Sequence, residues 1–168
     1  DMSQMTNLPK SFRSWLSSNY SFDLPRLCAF KHSKDGTKKW SVGLENGNYV
    51  EMVLIPERDR NTLCVSSQVG CALKCDFCST GKQGFKANLT TAEIVGQLIL
   101  ANRHLSREGK RVSNIVFMGM GEPLLNFEAV SSAINLFQDD CAFGLSKRKV
   151  TLSTAGLVPG IMRMKETL

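Results

Sequence analysis

The sequence predicts an α/β protein in two parts, an antiparallel β region followed by a parallel βα region. Three observations predict it. Two hairpin signals, Asp35-Gly36 and Asn46-Gly47, lie between short strand-like runs. From residue 69 onward, strands alternate with helices. Glycine turns follow the later strands, MGMGEP after NIVFM and STAG after KVTLS. A βαβαβα order calls for a parallel sheet joined by right-handed crossovers.

The elements follow in order. In NLPKSFRSWLSS, Asn7 is the expected cap and Pro9 an early helical residue, with Phe12, Trp15 and Leu16 on one face. The runs RLCAFKH, KWSVGL and NYVEMVLI predict three strands joined by the two hairpin turns. Leu63–Ser67 is expected as the first parallel strand. Thr90 and Glu93 have capping-box spacing and open a helix with Ile94, Leu98, Ala101 and Leu105 on one face. Asn114–Met118 reads as a short buried strand. A second helix carries Phe127, Val130, Ile134 and Phe137 at helical spacing, and KVTLS is the third strand. Gly156 falls in the next turn, and another helix begins near Pro159.

Bulk properties exclude several classes. With 42% hydrophobic and 21% charged residues in 168, the chain is typical of a soluble globular protein. No apolar run approaches the roughly 18–20 residues of a membrane span. The start, DMSQMTNLPK, is not a secretory signal and does not open on an initiator methionine, so a segment of a longer protein is expected. Six cysteines without such a signal point to a reducing, cytoplasmic setting and to ligand or catalytic roles.

The formal charge is +6, and the basic residues cluster. One group is Lys31, Lys34, Lys38 and Lys39, a second Arg103, Arg107, Lys110 and Arg111, a third Lys147, Arg148 and Lys149. Such groups suit a polyanion such as nucleic acid; solvated loops and helix faces explain each one equally well.

Ligands of parallel α/β proteins gather at the C-terminal ends of the strands. Three segments are expected there: the loop VGCALKCDFCSTG, the MGMGEP turn, and Ser153-Thr154-Ala155-Gly156. The loop holds Cys71, Cys75 and Cys78 within eight positions. Structural zinc wants four protein ligands, usually as two separated pairs, and no second pair exists. The histidines, His32 and His104, are expected to be exposed or capped, and ferredoxin-type clusters use four cysteines in another spacing. Three thiolates on a four-iron cubane leave one iron open to a small molecule.

The spacing C-x3-C-x2-C, with Phe77 before the last cysteine, is that of the radical S-adenosylmethionine (SAM) motif. With MGMGEPLLN and KVTLSTAG downstream of CVSSQVGCALKCDFCSTGKQGF, the chain resembles the RlmN-type adenine C2-methyltransferases of 23S ribosomal RNA and transfer RNA. The resemblance runs from MTNLP to the end. It implies the first three βα units of a radical-SAM (β/α) barrel over residues 57–168. It also implies an antiparallel extension over 25–56, and over 1–24 the end of a helical accessory domain.

The resemblance further implies a 4Fe-4S cluster on Cys71, Cys75 and Cys78, and SAM held by Gly121, Glu122 and Ser153. C2 of adenine is too electron-poor to attack a sulfonium methyl, so the family first methylates one of its own cysteines. A deoxyadenosyl radical activates that methyl for addition to C2. Glu51 matches the residue that then takes the C2 proton, and Cys64 matches the resolving cysteine that frees the product as a disulfide forms. Without the resemblance, Glu51 reads as a strand residue facing water, Cys64 as a buried strand cysteine, and MGMGEP as a tight βα turn. Cys28 and Cys141 are expected to be packing residues.

The implied partners are 23S ribosomal RNA, transfer RNA and an external one-electron reductant of flavodoxin type, acting on a monomer with no membrane contact. The family's methyl-carrying cysteine lies downstream of Leu168, so this segment alone is expected to transfer no methyl group. Two other classes stay open on the residues alone: a radical enzyme of another reaction type, and a zinc or iron–sulfur module without catalysis.

Overall fold

The computed structural model describes residues 2–21 and 23–167. In chain order the elements are α1 (Lys10–Asn19), β1 (Arg26–His32), β2 (Lys38–Gly43), β3 (Tyr49–Glu57), β4 (Arg60–Cys64) and β5 (Gln68–Val69). There follow α2 (Ser79–Lys82), β6 (Ala87–Asn88), α3 (Thr91–Leu105), β7 (Asn114–Phe117), α4 (Phe127–Gln138), β8 (Val150–Leu152) and α5 (Val158–Thr167). β1 to β4 form an antiparallel meander, and β4, β7 and β8 pair in parallel. All six belong to one mixed sheet in the order β1-β2-β3-β4-β7-β8, while β5 and β6 make a separate ribbon. The α/β class and the parallel pairing therefore follow the sequence expectation.

Both hairpin turns form where expected. The Asp35 carboxylate accepts from the Thr37 amide at 3.0 Å, and the Asn46 side chain accepts from the Asn48 amide at 3.0 Å. These Asx contacts add to the backbone bonds that close each hairpin, Ser33 to Thr37 and Leu44 to Asn48. At α3 both halves of the capping box are made: the Glu93 amide donates to Thr90 Oγ1, and the Thr90 amide donates to the Glu93 carboxylate.

The core lies on one face of the sheet. Trp40, Val42, Val50, Met52, Leu54, Leu63, Ile115 and Phe117 point to it at the alternating positions of their strands. Ile94, Leu98, Ala101 and Leu105 of α3, with Val130, Ile134 and Phe137 of α4, join the same buried cluster. Burying each of the large side chains contributes about 1.5–3 kcal/mol. The other face carries Lys39, Ser41, Tyr49, Glu51, Val53, Thr62, Cys64 and Val116 and stays partly or fully exposed.

Several expectations are corrected. Asn7 does not cap α1: the N-cap is Pro9, whose ring offers no acceptor, and no side-chain cap bond is made. Phe12 and Trp15 stack with centroids 5.7 Å apart on a helix that buries none of its residues. The first parallel strand is Arg60–Cys64 rather than Leu63–Ser67. Past Cys64 the chain turns its amides from ladder pairing to the MGMGEP loop, Ser67 and Gln68 both donating to the Met120 carbonyl. The other two parallel strands end one residue short of expectation, at Phe117 and Leu152, and β8 begins one later, at Val150.

Cys28 and Cys141 are not packing residues. Both are exposed, Cys28 where the β1–β2 register shifts and Cys141 in the turn after α4. His32 is exposed, but His104 is half-buried, its ring 5.4 Å from Phe30 and 5.3 Å from Trp40. Desolvation and nearby Lys38 pull its imidazole below the usual histidine range. Lys38 is no solvated lysine either: it is buried and paired with Glu108.

Candidate active site at the strand ends

Because β4, β7 and β8 are parallel, the chain leaves all three at the same end of the sheet. The cysteine loop, the MGMGEP turn and the STAG turn all emerge there. The cysteine loop is an excursion between β5 and β6, closed by a tight neck. The Cys71 amide donates to the Gly84 carbonyl at 3.2 Å, and the Lys86 amide to the Val69 carbonyl at 2.9 Å. Gly70, at φ +72°, is obligatory at this neck: a Cβ there would sit 1.7 Å from the Gly84 carbonyl oxygen.

Inside the loop Cys71 is buried, and Cys75 and Cys78 are half-buried. Gly81 of α2 lies against the Cys75 backbone, an added Cβ falling 2.9 Å from its nitrogen. Phe77 is 93% exposed, so the aromatic of the motif is not a core residue here. All three thiols are free, and among the described residues no three His, Cys, Asp or Glu side chains converge into a metal-holding group. The donor set fits an iron–sulfur centre by its chemistry: three soft sulfurs on one short loop, with neither histidine in that loop.

The MGMGEP turn is stitched to the cysteine loop. Gly121 stands at φ +98°, with an added Cβ 2.5 Å from the Gln68 Cβ. Glu122 is 3% exposed, and its two carboxylate oxygens accept separately, from the Leu124 amide at 3.0 Å and the Ala155 amide at 2.8 Å. Its carboxylate thus spans from MGMGEP to STAG. Ser153, just beyond β8, is exposed.

Sequence reasoning missed the buried polar groups beneath these loops. Gln97 both accepts from and donates to the Ser66 backbone at 2.9 Å. Asn126 donates to the carbonyls of Ser67 and Leu89 at 2.8 and 2.7 Å. Ser66 Oγ donates to the Glu51 carbonyl at 2.6 Å and accepts from the Met120 amide at 2.9 Å. The available signal was Gln97, a polar residue on the otherwise apolar face of α3.

Glu51 and Cys64 share the less covered face. Cys64 pairs with Val53, two residues from Glu51 on β3, which makes them diagonal neighbours across adjacent strands. The Glu51 carboxylate takes Lys39 Nζ at 2.7 Å, both side chains being about half exposed. Burial pushes the Cys64 thiol up, and the Met118 amide, donating to the sulfur, partly opposes it. A raised pKa leaves less thiolate at a given pH. Iodoacetamide at pH 8 is therefore expected to label Cys64 more slowly than exposed Cys141, with the rate still climbing above the ordinary thiol range. Mass spectrometry of the labelled peptides measures this, and matching pH profiles would contradict it.

The basic groups on the α3–β7 and α4–β8 connections, Arg107 to Arg111 and Lys147 to Lys149, lie at the opposite end of the strands. The cluster on β1 and β2 is divided: Lys38 faces the core side, and Lys39 the face of Glu51.

Residues 65–167 match the Radical SAM superfamily. The chain belongs to that superfamily. As a radical SAM protein it also has curated relatives. It is 56% identical over 166 residues to the dual-specificity RNA methyltransferase RlmN of Vesicomyosocius okutanii, covering 99% of this chain and 47% of that protein. To the protein of the same name from Alkalilimnicola ehrlichii it is 53% identical, covering 97% and 45%. A crystal structure of a radical SAM methyltransferase from Sphaerobacter thermophilus superposes with a TM-score of 0.89 at 39% identity, over 98% of this chain and 48% of that one. The chain spans about half the length of the curated relatives it matches. Among the described residues no helix is long and apolar enough to cross a membrane.

Proposed function

We propose that this chain is the cofactor-binding part of a methyltransferase that methylates C2 of adenine in 23S ribosomal RNA and transfer RNA. The observation that supports the proposal is that the loop bearing the three cysteines, the Gly121–Glu122 turn and the Glu51–Cys64 face all lie toward one end of the three parallel strands. Cys71, Cys75 and Cys78 would hold a 4Fe-4S cluster, which when bound supplies an electron to SAM drawn from an external reductant. Gly121, having no side chain, lets the turn close against Gln68, and the turn together with the exposed hydroxyl of Ser153 would hold SAM. Residues 57–168 would form the first half of a (β/α) barrel, with 25–56 as its antiparallel extension and 1–24 as the end of an accessory helical domain. In such a barrel the less covered sheet face becomes the interior.

On that face, Glu51 would receive the proton leaving C2 of adenine. Its exposed contact with Lys39 is worth at most about 1 kcal/mol and can open to admit one. Cys64 would attack the sulfur that joins the RNA adduct to the protein, so the product leaves as a disulfide forms. The partner cysteine would come from the length that the relatives have and this chain does not span. The protein would act as a cytoplasmic monomer.

The test is Glu51→Gln in a polypeptide of the relatives' full length. Methylation at adenine C2 is expected to fall about 100-fold or more, since an amide cannot take the proton at neutral pH. Iron content and SAM binding should be unchanged. A wild-type rate would place the base elsewhere.

A further inference from the structure

One side chain joins the β5–β6 ribbon, which carries the cysteine loop, directly to Glu122 of the MGMGEP turn. Gln68, in β5, is 1% exposed and lies three residues before Cys71. Its amide bonds in two directions. Oε1 accepts from the Glu122 amide at 2.9 Å, and Nε2 donates to Asn88 Oδ1 of β6 at 2.8 Å. Its own backbone amide reaches the Met120 carbonyl at 3.1 Å. Its Cβ and Cγ occupy the space that any side chain at Gly121 would need, at 2.5 and 2.7 Å. The Glu122 carboxylate continues the linkage to the Ala155 amide.

We infer that Gln68 is a positioning residue, fixing the sulfur-bearing loop against the turn that holds SAM and, through Glu122, against the STAG turn. The inference rests on the cofactor reading above. Only an amide does both jobs: methionine supplies neither bond, and glutamate cannot donate to Asn88 and sets a second carboxylate beside Glu122. The parallel ladder between β4 and β7 stops at Cys64 and Val116, and the backbone bonds beyond it reach no further than Met120. From Glu122 onward the spacing of the two loops is set by side chains.

The experiment uses Gln68→Met and Asn88→Ala in the full-length polypeptide, with three measurements: iron content, equilibrium binding of SAM to the reconstituted protein, and amide hydrogen exchange without cofactor. Gln68→Met should keep its iron, weaken SAM binding about tenfold, and speed exchange at Glu122 by about tenfold, as loss of a buried hydrogen bond implies. Amides within α3 should be unchanged. Asn88 is exposed, so Asn88→Ala should fold normally, and it should move both readouts in the same direction by about threefold. A folded, iron-loaded Gln68→Met with SAM affinity within about twofold of wild type overturns the positioning role, because a merely structural residue would behave that way. If Gln68→Met fails to fold, Asn88→Ala decides on the same criterion. If the unmodified protein binds no SAM, the cofactor reading fails separately. Unchanged Glu122 exchange in Asn88→Ala then overturns the coupling itself.

Discussion

Replacing Cys75 by alanine in the full-length polypeptide is expected to reduce bound iron after anaerobic reconstitution from about four per chain to less than one. The brown absorption and all methyl transfer should go with it. The effect is large because the loop offers three sulfurs, and two leave a second iron open to solvent and to loss. The fold should be untouched. Cys75 is half-buried, its backbone contact with Gly81 survives in alanine, and removing one sulfur atom there costs about 1 kcal/mol or less. Chemistry and stability are thus separable: iron falls while the melting temperature holds. Full iron loading in Cys75→Ala would refute the ligand assignment, as would loss of iron only together with loss of fold.

Cys64→Ala is expected to trap rather than prevent the reaction. Iron and SAM binding should match the parent, because Cys64 lies on the sheet face outside the cysteine loop and makes no part of its neck. The RNA adduct would form once and then stay attached, since the thiol proposed to attack its sulfur is gone. Denaturing electrophoresis should show RNA migrating with protein, and turnover should fall to at most one per chain. Cys141 does not substitute: it is exposed in the turn after α4, where the chain is about to enter β8 from the far end. Multiple turnovers without a trapped species would remove Cys64 from the mechanism.

Local signals carried most of the fold. The capping box at Thr90 and Glu93, the Asx turns at Asp35 and Asn46, and the helical spacing of Ile94 through Leu105 are contacts within a few residues, which pattern reading detects. Asn7 misled because Pro9 takes the cap position two residues later, where ring geometry outweighs a side-chain acceptor. The β5–β6 ribbon has two residues per strand, too few for any periodicity to register. The cysteine spacing was legible because it lies within eight positions. Gln68, Gln97 and Asn126 were not, because the bonds that tie them to the loops run to residues 20 to 59 positions away, which no local pattern records. The Glu51–Cys64 juxtaposition needed the β3–β4 register, which the sequence does not state.

The neck at Gly70 and Gly84 has a consequence for metal affinity. A loop whose ends already touch has lost its closure entropy before any ligand arrives. Its three sulfurs do not converge as the loop stands, but all three are tethered to the same neck, so once one has bound a metal centre the second and third bonds are intramolecular. Affinity becomes a chelate property of the whole loop, a product of three steps rather than a sum of three independent sites. A side chain at Gly70 that forced the neck apart would dilute all three sulfurs at once, without altering any of them.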